Sequence, residues 1–299
     1  VAVKESVRWV EGYEIVADLA EQTPETRLVY VADREGDLRA LMDASARRGH
    51  PADWLVRATH NRNTAAGEKV WHRVEQTQAL GEVEFTLPAT PGRPARPVRQ
   101  TLYRDTVTLP ARKGAPAVTV TAILAREERP PAGEQAIVWR LSTNRPAETL
   151  ETVVELIDWY RRRWLVEIFF RILKSGCRVE SLQLGTLERL ERALVIYLII
   201  AWRILHLVTW GRERPNLSCE VVFDPEEWQA AWIVARRTKS PDTPPPLGHM
   251  TRLIAGFGGF LGRKGDGPPG PKAIWEGMQK VYAFALGIAA AKQAFIPSG

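Results

Sequence analysis

The stretch YRRRWLVEIFFRILKSG, Tyr160 to Gly176, sets a single carboxylate, Glu167, among four arginines and a lysine. Val166, Phe169, Phe170 and Leu173 recur at helical spacing, so the stretch reads as the end of a long helix running from about Glu148 to Ser175. At roughly 100° of turn per residue, Tyr160, Arg163, Glu167 and Lys174 share one face, with Arg171 and Trp164 at its edge and the four apolar residues opposite. The expectation is one buried side and one side displaying a carboxylate ringed by cations. A solvated face laced by spaced-by-four ion pairs is the plain alternative. Two large aromatic residues on the charged arc, Tyr160 and Trp164, argue against it. Arginines that grip phosphate beside a carboxylate that holds a divalent cation are the division of labour that phosphoryl transfer requires.

Upstream, helical periodicity covers Ser6 to about Glu21, and RLVYVAD, Arg27 to Asp33, reads as a strand buried on both faces. A helix from Gly36 to Arg48 and a second buried strand, WLVRA from Trp54 to Ala58, follow. Strand, helix and strand joined by short loops predict a parallel α/β layer. From about Thr64 to Pro131 the texture changes to alternating runs, EVEFTL, RQTLYRDTVTL and AVTVTAIL, separated by turns such as PATPGRPARP, which predicts antiparallel strands. IVWRLSTN, Ile137 to Asn144, is a strand that returns to the α/β layer. The predicted organisation is therefore the first part of an α/β core over residues 1–62 and an inserted β domain over 63–136. A return strand and long helix over 137–180 and a helical region over 181–299 complete it.

The chain of 299 residues, 45% hydrophobic and 25% charged, is long and apolar enough to bury a core. Its net charge of +6 makes a polyanion a plausible partner. Two cysteines, Cys177 and Cys219, without ligands at metal spacing exclude a zinc site or disulfide framework and fit a reducing cytosol. The apolar run ALVIYLIIAW, Ala193 to Trp202, is about half of the roughly 20 residues a bilayer span needs, so a buried helix and no membrane are expected. No internal repeat is visible.

Tyr160, Arg163, Glu167 and Lys174 stand in the spacing Y-x2-R-x3-E-x6-K, which resembles the signature of the insertion-sequence-four branch of bacterial DDE cut-and-paste transposases, including the transposon-five type. VYVADREGD, WLVRATH, AGFGGFLGRKGDG and IWEG extend the resemblance in order, from Lys4 to about Gln293. It implies an RNase H-like catalytic core interrupted by an antiparallel β insertion, with a helical carboxyl-terminal region. It implies Asp33 and Glu167 as catalytic carboxylates of an Asp-Asp-Glu triad that share two Mg²⁺ (or Mn²⁺) ions. Tyr160, Arg163 and Lys174 would hold DNA phosphates, with Arg57, Arg171 and Trp164 as further DNA contacts. Trp139, on the strand leaving the insertion, would stack on a flipped base. From pattern alone Asp33 is equally a turn or capping residue, Arg57 a core-edge ion-pair partner and Trp139 a core side chain. The implied partners are double-stranded DNA, as transposon ends and target, and a second copy of the chain paired through carboxyl-terminal helices around Trp275 and Ala283 to Ala294. The implied place is the bacterial cytoplasm at the nucleoid.

The resemblance breaks at the first aspartate of the triad. Glu5, Glu11, Glu14, Asp18, Glu21 and Glu25 lie in or beside a helical pattern, and no strand precedes it. The expectation is an incomplete RNase H-like core, the carboxyl-terminal two-thirds of a transposase, that lacks one metal ligand and does not cleave DNA alone. A silent chain that inhibits an active partner, an RNase H-like nuclease without strand transfer, and a plain DNA-binding module are the competing readings.

Overall fold

Alternation within the second strand organises the first of two units, Val1–Trp164 and Leu165–Gly299. The computed structural model describes residues 5–87, 95–112 and 114–295. Strand β2 (Asp53–Arg57) sends Trp54 and Val56 to one face and Leu55 to the other, as period-two side chains must. It pairs in parallel with β1 (Val29–Ala32), from Val29 opposite Asp53 to Ala32 opposite Val56. Helices α1 (Glu5–Gln22), α2 (Arg39–Arg47) and α3 (Val70–Glu75) cover the Trp54 face through Tyr13, Ala17, Leu41, Met42 and Trp71. On the Leu55 face lies α4 (Leu150–Arg162), whose Val153, Leu156, Ile157 and Tyr160 form a buried stripe. Thr149 starts α4 by accepting from the Thr152 amide while the Thr152 hydroxyl accepts from its own.

The strands expected of the insertion, β3 (Gly81–Leu87), β4 (Arg96–Leu109) and β5 (Val118–Glu127), are antiparallel. They continue the same sheet through β6 (Val138–Thr143), giving the order β1-β2-β6-β5-β4-β3 among the described residues. The turn PATPGRPARP lies mostly outside those residues, as does Lys4, where the resemblance begins. Helix α3 is not visible as a helical pattern in the sequence, because six residues are too few to show a period. The expectation that the first strand is buried on both faces needs correction: Val29, Tyr30 and Val31 are half-buried, because β1 is the edge of the sheet among the described strands.

The expected long helix is also corrected. It runs as α4, breaks at Arg163, resumes as α5 (Trp164–Arg171) and ends in a π-helical turn, Ile172–Gly176, closed by the Cys177 amide on the Ile172 carbonyl at 2.8 Å. Tyr160, expected on the charged arc, belongs to the buried stripe. Val166 and Phe170, expected on the buried side, are exposed. Beyond Arg163 burial is set by another core, which takes Ile168 and Phe169 instead. The wider π turn changes the rotation per residue before Lys174.

In the helical unit α6 (Leu187–Glu213), capped by Thr186, packs with α7 (Pro225–Arg236), α8 (Leu247–Phe257) and α9 (Pro271–Phe295). Gly258 and Gly277 let α8 and α9 meet at their backbones, since a Cβ at Gly277 would lie 2.0 Å from the Ile254 carbonyl oxygen. The apolar run Ala193 to Trp202 was expected to be buried. Within it only Ala201 is fully buried, and Val195, Ile196, Ile199 and Trp202 are exposed; the buried side of α6 continues past the run through Ile204, Leu207 and Val208, because the helical unit covers one side of α6 only. By length and composition α6 is long and apolar enough to cross a membrane, which the ten-residue apolar run alone did not suggest.

Candidate functional site

Asp33 follows the last residue of β1 and precedes a 3-10 turn over Arg34–Gly36, the place where an aspartate would cap. Its side chain caps nothing there. The carboxylate accepts from the Tyr160 hydroxyl at 3.3 Å and faces the Arg163 guanidinium at 3.4 Å, with 35% of the side chain exposed. The Arg57 guanidinium, at the end of β2, lies near enough to the Tyr160 phenol for its charge to act on it. Burial pushes the Tyr160 phenol above its usual range against the opposing pull of the Arg57 charge, so at neutral pH it keeps its proton and donates it to Asp33. The Arg163 guanidinium also lies over the Tyr160 ring, 5.9 Å from its centroid. Four sequence-predicted residues, Asp33, Arg57, Tyr160 and Arg163, thus converge within one unit although they come from three distant segments.

Trp139 borders this group. Its ring meets Tyr160 edge-on at 5.9 Å and stacks on Phe85 at 5.3 Å with 16° between planes. Arg161 lies over Phe85 at 4.6 Å. Sequence reasoning missed Phe85 and Arg161. Phe85 carries no local signal, because it reaches Trp139 only through the pairing of β3 with β4 and β4 with β5. On the opposite face of β6, Arg140 joins Arg34, Arg57 and His72 around an open cavity of about 550 Å³, in which Glu75 is paired with Arg140 at 3.2 Å. Arg140 could have been found from the alternation in VWRLSTN, which sends neighbours to opposite faces.

A second aspartate of VYVADREGD has a structural task. Asp37 is fully buried and accepts from the Thr59 amide at 2.7 Å and the His60 amide at 2.8 Å, while Arg62 pairs with its carboxylate. Burial pushes its carboxyl up, but the Arg62 charge and the His60 and Thr59 amides outweigh that and hold it below 3.8. It ties down the loop that follows Arg57.

The other predicted residues stand apart from this group in the chain. Trp164 is exposed at the start of α5. Glu167 and Arg171 are exposed on α5 in the helical unit, and Lys174, in the π turn, pairs with Glu180 at 3.3 Å.

The sequence model of the family described as the transposase DDE domain matches residues 11–203, well over half of the chain. The chain belongs to the DDE transposases. The model described as the transposase Tn5 dimerisation domain matches residues 199–296, which joins this transposase to the Tn5-like, insertion-sequence-four branch on which the Y-x2-R-x3-E-x6-K spacing had placed it. An RNase H-like core, action on DNA and dependence on a divalent metal come with that family. Carboxylate oxygens suit a hard divalent cation, and Asp33 and Glu167 each offer them. The donors therefore fit the cation in kind, while among the described residues no group of three or more His, Cys, Asp or Glu comes together.

Proposed function

We propose that this transposase carries the parts for metal-dependent cleavage at transposon ends and strand transfer into target DNA, with Asp33 and Glu167 as metal-bearing carboxylates. The observation that carries the reading is the convergence of Arg57, Tyr160 and Arg163 on Asp33. A bound Mg²⁺ or Mn²⁺ would supply polarisation of the phosphodiester and an activated oxygen nucleophile. The chain's own residues do the rest. Arg57 and Arg163 neutralise the phosphate beside Asp33, and Tyr160 orients that carboxylate with its proton. Arg171 and Lys174 hold DNA from the helical unit, with Trp164 as a further contact. Trp139 offers a ring for a base, worth about 1–3 kcal/mol by stacking. Phe85 already covers one of its faces, so a base takes the other or displaces Phe85.

These 299 residues by themselves bind divalent ions weakly and do not cut DNA, because Asp33 and Glu167 lack a third ligand to bridge two ions. The test is incubation of the purified protein and its Asp33→Asn and Glu167→Gln variants with Mn²⁺ and transposon-end duplex. Electron paramagnetic resonance reads bound Mn²⁺ and gel electrophoresis reads strand breaks. Weak Mn²⁺ binding that Asp33→Asn weakens further, with no breaks, is expected; turnover would refute the statement on cleavage, and unchanged Mn²⁺ binding in both variants would refute the assignment of the ligands.

The dimerisation-domain match favours a second reading, a silent chain that pairs with an active transposase in the cytoplasm and inhibits it. Its signature is a homodimer in isolation and a dose-dependent loss of a full transposase's activity on mixing. A monomer without that effect would remove it.

A further inference from the structure

Within the helical unit, the end of α6 and the start of α8 frame an open cavity of about 490 Å³. Arg212, Asn216, His249 and Arg252 give it its polar atoms, Pro215 and Pro268 its walls, and no carboxylate lines it. Two arginines earlier on α6 have ion-pair partners: Arg192 pairs with Glu188 and Arg203 with Glu227. The side chains of Arg212 and Arg252 have neither an ion pair nor a hydrogen bond among the described residues. A third guanidinium stands close by. The His249 ring stacks on Trp232 at 5.7 Å, Arg236 lies over the Trp232 ring at 5.7 Å, and the Arg236 Nη2 is 3.4 Å from the His249 Nε2.

The walls are fixed. The Gly248 amide donates to the Pro215 carbonyl at 2.9 Å, and a Cβ at Gly248 would lie 2.7 Å from the Pro215 Cβ, so the turn after α6 is seated directly on α8. Arg212 and Arg252 line one cavity that has no carboxylate in its walls, so they repel one another and an anion relieves that repulsion. The volume falls in the range of about 300–1,000 Å³ usual for small-ligand sites. Planar guanidinium forks match phosphate oxygens in geometry as well as charge.

We propose that Arg212, His249 and Arg252 hold a phosphate of the DNA backbone, a DNA contact in the helical unit additional to those made from Asp33's surroundings and from Arg171 and Lys174. The proposal rests on the DNA-acting reading above for its choice of a backbone phosphate over a free one.

The test is binding of a fluorescently labelled random-sequence duplex, read by anisotropy across a salt series. It compares the parent protein with Arg212→Ala/Arg252→Ala, Arg212→Lys/Arg252→Lys and, separately, Arg163→Ala. Both pocket arginines are exposed, so their removal leaves the core intact, and an unchanged melting temperature verifies this. The double alanine variant should bind several-fold to about tenfold more weakly, with a salt slope shallower by about 1 for each phosphate that is no longer neutralised. The double lysine variant should recover most of the affinity. Unchanged binding by the double alanine variant beside a weakened Arg163→Ala overturns the pocket alone; unchanged binding by both overturns the DNA reading of each site. Thermal stabilisation by inorganic phosphate that vanishes in the double alanine variant while duplex binding stays unchanged assigns the pocket to free phosphate, and the proposal fails.

Discussion

Gly277→Ala turns a backbone-to-backbone contact between α8 and α9 into a measurable strain. A Cβ at this point of α9 would lie 2.0 Å from the Ile254 carbonyl oxygen and 2.7 Å from the carbonyl carbon of α8, whereas real Cβ contacts under 3.0 Å essentially do not occur. Both partners are backbone, so no rotamer change relieves the clash and the helices must part by about 1 Å. Such overpacking costs about 1–3 kcal/mol, occasionally more, against about 1 kcal/mol gained by replacing a helical glycine with alanine. A net loss of about 1–2 kcal/mol is expected. Gly287 is the control, since it lies on the same helix with nothing within 4 Å of its added Cβ, and Gly287→Ala should gain up to about 1 kcal/mol. Urea unfolding followed by tryptophan fluorescence separates the two by sign. A Gly277→Ala protein as stable as the parent, or a shift of the same sign in both variants, would show that the α8 and α9 backbones do not meet as described.

Removing the buried charge in Asp37→Asn breaks its pair with Arg62 and should cost about 3–5 kcal/mol at neutral pH. Because Asp37 is held below 3.8, its stabilisation is complete above that pH and is lost as pH falls through the depressed folded value; thermal melts of the parent should drop on that acid limb, and those of Asp37→Asn should drop less. Tyr160→Phe removes the hydroxyl that donates to Asp33 and should cost about 1–2 kcal/mol of stability, with weaker Mn²⁺ binding as the readout that a purely packing role would not move. Leu286→Arg changes an exposed side chain of α9, 55% accessible, and should abolish self-association by sedimentation without lowering the melting temperature. Burial pushes the thiols of Cys177 and Cys219 up to about 11, so neither should react with an aromatic disulfide reagent at neutral pH until the protein unfolds.

Asp33 was legible because an apolar β-branched run ends on it, and strand ends project side chains from the sheet. Tyr160 was legible as a member of a spacing and misplaced as a member of a face. Helical rotation fixes which residues share an arc but not which arc the sheet covers, and a break at Arg163 hands the chain from one core to another. Phe85 was beyond reach for a different reason. It lies 54 positions before Trp139, and only strand register brings the two rings together. The exposed apolar side of α6 was misjudged because composition reports how much a helix can bury, not what stands opposite it.

By itself the sequence determined the family, the order of the strands and of the longer helical segments, and the residue types that phosphoryl transfer on DNA needs, because local periodicity and fixed spacing are written in consecutive residues. Tertiary structure alone decided that Tyr160 turns inward to Asp33, that Trp139 is half-covered by Phe85, and that Arg212 and Arg252 face a cavity without a counter-charge. Each of those depends on contacts between segments far apart in the chain, whose geometry is set by the packing of whole elements rather than by any stretch of residues.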